Sequence, residues 1–418
     1  MKISPSIRNL LLIWLGWAVI MIGFQGLVQM RVSLERPDNV LSWTSSETGR
    51  SSNATKAFLT DPFLNAHVAW DSEYYLAIAV DGYDSSRIPG VSSLYRTDSM
   101  HSFMCRPPKY DCYSLSYAFF PLYSVLIKVV GLPLRLFGLT PIATATLAAI
   151  MVALLGALAA MLSLYQLSRQ ELGEEGGVRA AFYLLIFPSG FFLAQVYSEG
   201  VFLGLIFSAL ALLNARKWGW AALCGALAVW ARPGGAILLL PFVVIWIKDK
   251  TWRLPAKQLW LRLLAALAPA LSYGIWRITP LAQRFFIVEE HFFSRGLLAI
   301  RQTLLAWSYA GQQLLQGNSS ARFYYGLEFA AILLALLTCL MVLKKRPELA
   351  LFGLAMVVFC FTSGSAQGMV RYVLATPPLF LMLARWSKHP AFDRLWTLAC
   401  VLIMGLEAML FTFNFWVA

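Results

Sequence analysis

An all-α integral membrane protein, a bundle of about eleven transmembrane helices with a large first extracytoplasmic loop, is the fold this sequence predicts. Three observations carry that expectation. Apolar residues fill 59% of 418 positions and charged residues only 13%, whereas soluble domains sit near half apolar and a quarter charged. Long apolar stretches recur, each able to cross a hydrocarbon core of roughly 30 Å; residues 9–29 and 136–168 contain no charge at all. The basic residues, finally, fall in short connections between these stretches, as the positive-inside bias requires.

In order, spans are expected at 9–29, 140–167, 179–196, 199–214, 218–231, 234–247, 263–280, 322–343, 349–363, 371–385 and 395–415. Basic clusters recur after every second span: Lys2/Arg8, Arg169/Arg179, Arg216/Lys217, Lys248 to Arg262, Lys344/Lys345/Arg346 and Arg385/Lys388/Arg394. Placing all of them in the cytoplasm puts the N-terminus inside and lets the spans alternate without conflict. The apolar segment 119–137 would reverse every later loop if it crossed. It carries Lys128 and Arg135, and a charge at the membrane centre costs ~2.5–3.5 kcal/mol on insertion scales. It is therefore expected to lie along the outer interface as an amphipathic helix.

Two large outer segments follow, 30–117 and 281–322, within a single domain of residues 1–418. The first holds ten acidic against eight basic residues. Outer loops on a rigid scaffold are a natural place for chemistry. The net charge of +13 does not indicate a nucleic-acid partner, because it is distributed over membrane loops. Residues 1–8 lead into a stretch too long for a cleavable signal, so the first span is expected to be retained. Cys224, Cys339, Cys360 and Cys400 lie in apolar spans as packing residues. Cys105 and Cys112 share one outer loop, where an oxidising compartment permits a disulfide.

The stretch from His67 to Tyr83 has helical spacing, with Asp71 and Glu73 near its start. Two readings fit. Acids in a first turn complement the helix dipole. Alternatively, Asp71, flanked by Trp70 and Tyr74 and partly desolvated, faces the membrane surface as a general base. Two residues along a helix turn a side chain by about 200°, so Asp71 and Glu73 are not expected to share one pocket. Glu289, Glu290 and His291 match no metal-ligand spacing and are expected to be solvated loop residues, as are His67 and His101. Arg277 lies inside an apolar span without an assignable role. Asn53-Ala-Thr55 and Asn318-Ser-Ser320 are glycosylation sequons.

Several short blocks, in order, resemble the PIG-V family, the GPI mannosyltransferase II enzymes and their prokaryotic relatives within the GT-C class of membrane glycosyltransferases. These blocks are Trp70-Asp71, Tyr74-Tyr75, Ile78-Ala79, Gly82-Tyr83, and then Ala118 to Leu122 with Phe120 at its centre. Phe187-Pro188-Ser189-Gly190 with Tyr197-Ser198-Glu199, Arg232-Pro233-Gly234-Gly235 and Arg371-Tyr372 extend the likeness, which is clearest over residues 67–240. Departures are Ala69 where the family carries Arg, a longer stretch from Asp84 to Ser116, and Pro-Gly-Gly after Arg232. They leave the acceptor open.

The resemblance implies a polyprenyl- or dolichyl-phosphate hexose donor, mannose first, and a lipid-linked or glycan acceptor. It implies an inverting transfer on the extracytoplasmic side with Asp71 as catalytic base. Trp70, Tyr74, Phe120, Tyr197, Glu199, Arg232 and Arg371 are the substrate-binding candidates. The lipid phosphate would be held by Arg232, Arg371 or both, since guanidinium binds phosphate bidentately. No obligatory metal or other cofactor is expected, and an accessory subunit is left open. The setting is a prokaryotic plasma membrane, or the ER membrane in a eukaryotic host. The competing reading is a multi-pass lipid or solute transporter or flippase. Against it stand the long first outer loop and the lack of a visible pair of broken helices related by a repeat.

Overall fold

The computed structural model describes residues 4–49, 56–92, 104–107 and 111–418. The Asn53 sequon and His101 lie outside these residues. Helix α1 (Pro5–Arg31) opens the chain, followed by the short α2 (Thr44–Thr48) and α3 (Ala57–Thr60) and by α4 (Asp71–Val80). A small sheet of β1 (Gly90–Ser92), β2 (Met104–Cys105) and β3 (Cys112–Ser114) comes next. The bundle proper comprises α5 (Pro121–Leu134), α6 (Pro141–Ile186), α7 (Glu199–Asn214), α8 (Trp218–Ala231), α9 (Leu239–Lys248) and α10 (Ala256–Arg277). It is completed by α11 (Pro280–His291), α12 (Ile300–Gln316), α13 (Ser319–Val342), α14 (Pro347–Phe361), α15 (Met369–Tyr372), α16 (Pro377–Trp386) and α17 (Pro390–Thr412).

Among the described residues, five helices are long and apolar enough to cross a membrane: α1, α6, α10, α13 and α17. The pair Pro188–Ala194 and Glu199–Asn214, bent by 101°, makes a sixth as a broken span. Trp218–Ala231, Pro233–Lys248 and Pro347–Phe361 are apolar but shorter. Among the described residues, then, five helices, or six with the bent pair, have the length and composition of a full crossing, against about eleven expected spans. A helix of 14 to 16 residues rises only about 21–24 Å. Each of three short helices is continued at one end by tight 3-10 turns or loops: 187–198 before α7, 232–238 after α8 and 362–376 after α14. Irregular backbone at membrane depth is tolerated where it is buried in protein or lines a cavity; Glu199 directly follows the first of these segments, and the other two carry Arg232 and Arg371.

The expected spans 140–167 and 179–196 are joined within α6. Gly173, at φ 74° and ψ −178°, interrupts it. A Cβ at Gly177 would stand 2.8 Å from the Tyr165 ring, although twelve residues of straight helix would separate the two by about 18 Å. The chain therefore reverses at Gly173 into a hairpin, and only glycine adopts that backbone without strain. Close packing of α6 on α7 follows from paired glycines. A Cβ at Gly200 would lie 2.2 Å from the Ala153 carbonyl oxygen, and one at Gly156 2.3 Å from the Gly200 backbone. Small residues of this kind let helix backbones approach in membranes.

Helix α5 lies along the first turns of α6, with the Tyr123 hydroxyl donating to the Ala149 carbonyl at 3.0 Å. Val125, Val129, Leu132, Leu136 and Phe137 stay exposed along this segment, an apolar row available to lipid. In the sheet, β1 pairs antiparallel with both β2 and β3, and a Cys105–Cys112 disulfide joins the two outer strands. Asn318, the second sequon, caps α13 by accepting from the Ala321 N–H and donates to the Asn39 carbonyl.

The basic clusters gather at one end of the bundle. Arg346 bonds Glu348, the Leu167 carbonyl and Asn214, Arg385 and Lys345 reach Glu171, and Arg216 pairs with Asp249. Glu199, at the start of α7, marks the opposite end. We expect a single cysteine at position 319 to react with an impermeant maleimide in intact cells and one at position 250 to stay protected. Labelling at position 250 would overturn the orientation.

Candidate active site

Asp71 is the first residue of α4, where a carboxylate complements the helix dipole. The residue before it, Trp70, has φ 53° and ψ −112°, a sparsely populated conformation that persists only where surroundings over-determine it. They do so here. The Trp70 indole N–H donates to the Phe415 carbonyl at 3.0 Å. Its ring meets Trp43 and Trp416 edge-on, at centroid separations of 5.8 and 5.0 Å.

From Asp71 a chain of charges runs across the three unwound segments. The Asp71 carboxylate accepts from Arg371 Nη1 at 2.8 Å. Arg371 Nε lies 3.2 Å from a Glu199 carboxylate oxygen, and that oxygen also pairs with Arg232. Arg232 Nε donates to the Ser198 hydroxyl at 2.9 Å, and this hydroxyl shares a 2.8 Å hydrogen bond with the Tyr75 hydroxyl of α4. Arg371 and Glu199 are buried, whereas the Asp71 side chain keeps 24% of its surface.

This chain borders a cavity of about 1060 Å³. Of the site residues expected from sequence, Trp70, Asp71, Tyr74, Phe120, Glu199, Arg232 and Arg371 line it. Tyr197 does not. It is buried beneath, packed on Phe192 and Phe411. Its hydroxyl donates to the Ala69 carbonyl at 3.2 Å and accepts from the Asp71 N–H at 3.3 Å. Its place is to set the start of α4 rather than to meet a ligand. Tyr74 stacks on Phe119 with centroids 4.6 Å apart, and Phe120 stacks on Trp276 at 4.4 Å.

Glu73 also lines the cavity, contrary to the helical-wheel expectation. The cavity wraps around the N-terminal turn of α4, so side chains on different faces both reach it. Glu73 is 8% exposed, and Lys56 lies within ion-pair distance at 3.9 Å. Burial pushes its carboxyl up to about 7, against the pull of Lys56.

His67 and Glu289 are not solvated loop residues. His67 is buried, with Nδ1 at 3.0 Å from the Gln195 side-chain oxygen, and burial lowers its pKa to about 4. Gln195 is itself bonded to Gln25 of α1, so His67 belongs to a structural network. Glu289 lines the cavity. Burial raises its carboxyl to about 7, with Arg295 opposing and Asp71 adding to the rise. Arg277 places its guanidinium 4.3 Å from the centre of the Phe286 ring, a cation–π contact at a helix end.

Sequence reasoning missed Arg295 and Glu328. Arg295 lines the cavity and donates to the Tyr372 hydroxyl at 3.1 Å. Glu328, fully buried on α13, accepts from the backbone N–H groups of Gly368 at 2.7 Å and Val370 at 3.0 Å. It fixes the loop from which Arg371 projects. A lone acid in the apolar run 319–342 was the available signal, since an intramembrane carboxylate is a site residue by default. Arg295 sits in an irregular segment and carried none. Among the described residues no group of three or more His, Cys, Asp or Glu is placed to hold a metal ion.

No protein-family model matches this chain, and no curated protein matches it. Among solved structures, its fold is similar to that of the Archaeoglobus fulgidus oligosaccharyltransferase tethered with an acceptor peptide. That match has a TM-score of 0.40 and 14% identity, covering 96% of this chain and 55% of that one. It is also similar to ArnT from Cupriavidus metallidurans bound to undecaprenyl phosphate, with a TM-score of 0.45, 15% identity, and coverage of 96% and 76% respectively. The apo form of that ArnT gives a TM-score of 0.44 and 18% identity, covering 83% of this chain and 72% of that one. The chain spans about half the length of the oligosaccharyltransferase.

Proposed function

We propose that this protein is a polytopic glycosyltransferase of the GT-C type. It moves a hexose, mannose by family resemblance, from a polyprenyl- or dolichyl-phosphate donor to a lipid-linked or glycan acceptor on the extracytoplasmic side. The observation that carries the reading is Asp71. A partly exposed carboxylate opens onto a large cavity, at the position where the PIG-V-like pattern places its base; Arg371 bonds it, and Arg232 follows through Glu199.

The chemistry is a single in-line displacement. Asp71 accepts the proton of the acceptor hydroxyl as its oxygen attacks the anomeric carbon. The bond to the phosphate oxygen breaks on the opposite face, and the configuration inverts. A phosphate leaving group needs less acid assistance than the alkoxide of a glycosidase. It needs cations instead, and Arg371 and Arg232 supply them, aimed at the charge that grows on the departing oxygen. Asp71 and Glu199 hold those guanidinium groups in place before the donor arrives. Phe120, Tyr273, Phe285 and Phe286 line another side of the cavity, an apolar wall suited to a polyprenyl chain.

One observation favours a transporter instead. The broken span at 188–214 and the interrupted backbone at 232–238 border a central cavity, and transporters build their sites from discontinuous helices. A single experiment separates the two readings. Detergent-purified protein, given radiolabelled undecaprenyl-phosphate mannose and a membrane lipid extract as acceptor source, is expected to release undecaprenyl phosphate and label a new product. Intact donor after many hours, with counterflow of the same lipid in proteoliposomes, would establish transport.

A further inference from the structure

Around Trp70, one lobe of the cavity is lined by different chemistry. Three tryptophans form its floor. Trp43 meets Trp416 with ring centroids 4.9 Å apart and Trp70 at 5.8 Å, and Trp70 meets Trp416 at 5.0 Å, each pair edge to face. The rings are anchored from behind, Trp70 through Phe415 and Trp416 through its backbone N–H, which donates to Asp38 at 2.8 Å. Above them, Lys56 Nζ lies 5.6 Å from the Trp70 ring centre, 3.3 Å from Glu47 and 3.9 Å from Glu73.

Glu73 is the telling residue. Its side chain keeps only 11% of its surface, it lines the cavity, and no hydrogen bond to its carboxylate is made by any described residue. A buried carboxylate without hydrogen bonds is costly unless a ligand completes it. Around the tryptophans the cavity presents two carboxylates, Glu47 and Glu73, beside the Lys56 ammonium. A lipid chain would leave the Glu73 carboxylate without a hydrogen bond. A sugar suits both halves of the lobe. Its axial C–H face packs on indole rings, while its hydroxyls donate to Glu73 and Glu47 and accept from Lys56.

We propose that Trp43, Trp70, Lys56 and Glu73 form the acceptor subsite and that the acceptor is a neutral pyranoside. The proposal rests on the glycosyltransferase reading. Asp71 lies between this lobe and Arg371, so a sugar seated on the tryptophans would present a hydroxyl to the base with the donor phosphate on the far side. Glu73 is thus a binding residue for the acceptor and Asp71 the group that takes its proton.

The test uses the full-length protein in lipid nanodiscs and saturation-transfer NMR. The probes are methyl α-mannopyranoside, methyl α-glucopyranoside and phosphoethanolamine. Undecaprenyl phosphate binding to the same samples is measured as a control on folding and on the donor site. At least one glycoside is expected to saturate. Glu73→Gln and Trp43→Ala are each expected to weaken it by roughly tenfold or more while undecaprenyl phosphate binds as before. Glycoside binding unchanged in both variants would place the sugar elsewhere and overturn the subsite. So would binding of phosphoethanolamine alone, which would make the ligand an amine. Absence of any glycoside signal while undecaprenyl phosphate still binds would sink the subsite and leave the donor reading standing. Failure of undecaprenyl phosphate to bind wild-type protein would instead count against the glycosyltransferase reading itself.

Discussion

Asp71→Asn is expected to insert, purify and capture donor lipid as the wild type does, yet transfer sugar ~10²–10⁴ times more slowly. Asparagine keeps the shape of aspartate and can still accept a hydrogen bond from Arg371, but it has no basic oxygen to take a proton. The loss should appear in kcat, because the groups that hold both substrates remain. Glu73→Gln is expected to behave differently: acceptor KM rises, and most of the rate returns at saturating acceptor. Single-turnover transfer with both substrates saturating distinguishes the two. If Asp71→Asn transfers at a near-normal rate while Glu73→Gln is inactive under those conditions, the roles are reversed. Full activity in both would move the base elsewhere. Glu199 would then be next in line, although its pairing with both Arg371 and Arg232 leaves it poorly placed to accept a proton.

Arg371→Ala should have the second-largest effect, on stability and on donor capture together. Arg371 Nη1 holds Asp71, and Arg371 Nε lies within ion-pair distance of the buried Glu199. Removing it leaves carboxylates without their shared cation, and breaking a buried pair costs ~3–5 kcal/mol. Donor affinity should fall by roughly one to two orders of magnitude, since a charge-assisted phosphate contact contributes ~1.5–3 kcal/mol. Arg371→Lys retains the charge but not the fork, so it cannot reach both acids at once. It is expected to keep most of the stability and lose most of the activity. A double-mutant cycle with Asp71→Asn should show strong non-additivity in thermal stability, as expected for residues in one network. Undiminished donor capture in Arg371→Ala would leave the phosphate to Arg232, and undiminished capture in Arg232→Ala as well would mean that it is held elsewhere, with Arg295 another cation lining the cavity.

How much of this was legible before the structure depends on the physics behind each feature. Apolar stretches and the short basic connections between them are local properties, and most of the expected spans overlap helix, although 179–196 and 371–385 run into 3-10 turns and irregular backbone. The helix beginning at Asp71, the pairing of Cys105 with Cys112 and the gathering of basic residues at one end were likewise written in spacing and charge. Seven of the eight expected site residues also border one cavity, because the blocks that suggested them lie where spans end.

What only tertiary structure decided is how those ends meet. Whether α7, α8 and α14 cross the whole bilayer or stop short and continue as 3-10 turns is set by packing and by cavity-lining backbone, and composition does not record it. A helical wheel separates Asp71 from Glu73 because it assumes a flat partner surface; a cavity that wraps around a helix terminus reaches both. The Arg371 to Asp71 contact closes a loop of 300 residues, and no local pattern encodes such a pairing. Its geometry depends on Glu328 gripping the Gly368 and Val370 amides from another helix. The sequence by itself determined a helical, apolar bundle with its basic connections gathered at one end. The structure alone decided which charges neutralise one another there and which carboxylate is left facing the cavity without a hydrogen bond, because those outcomes follow from distances between segments that are remote along the chain.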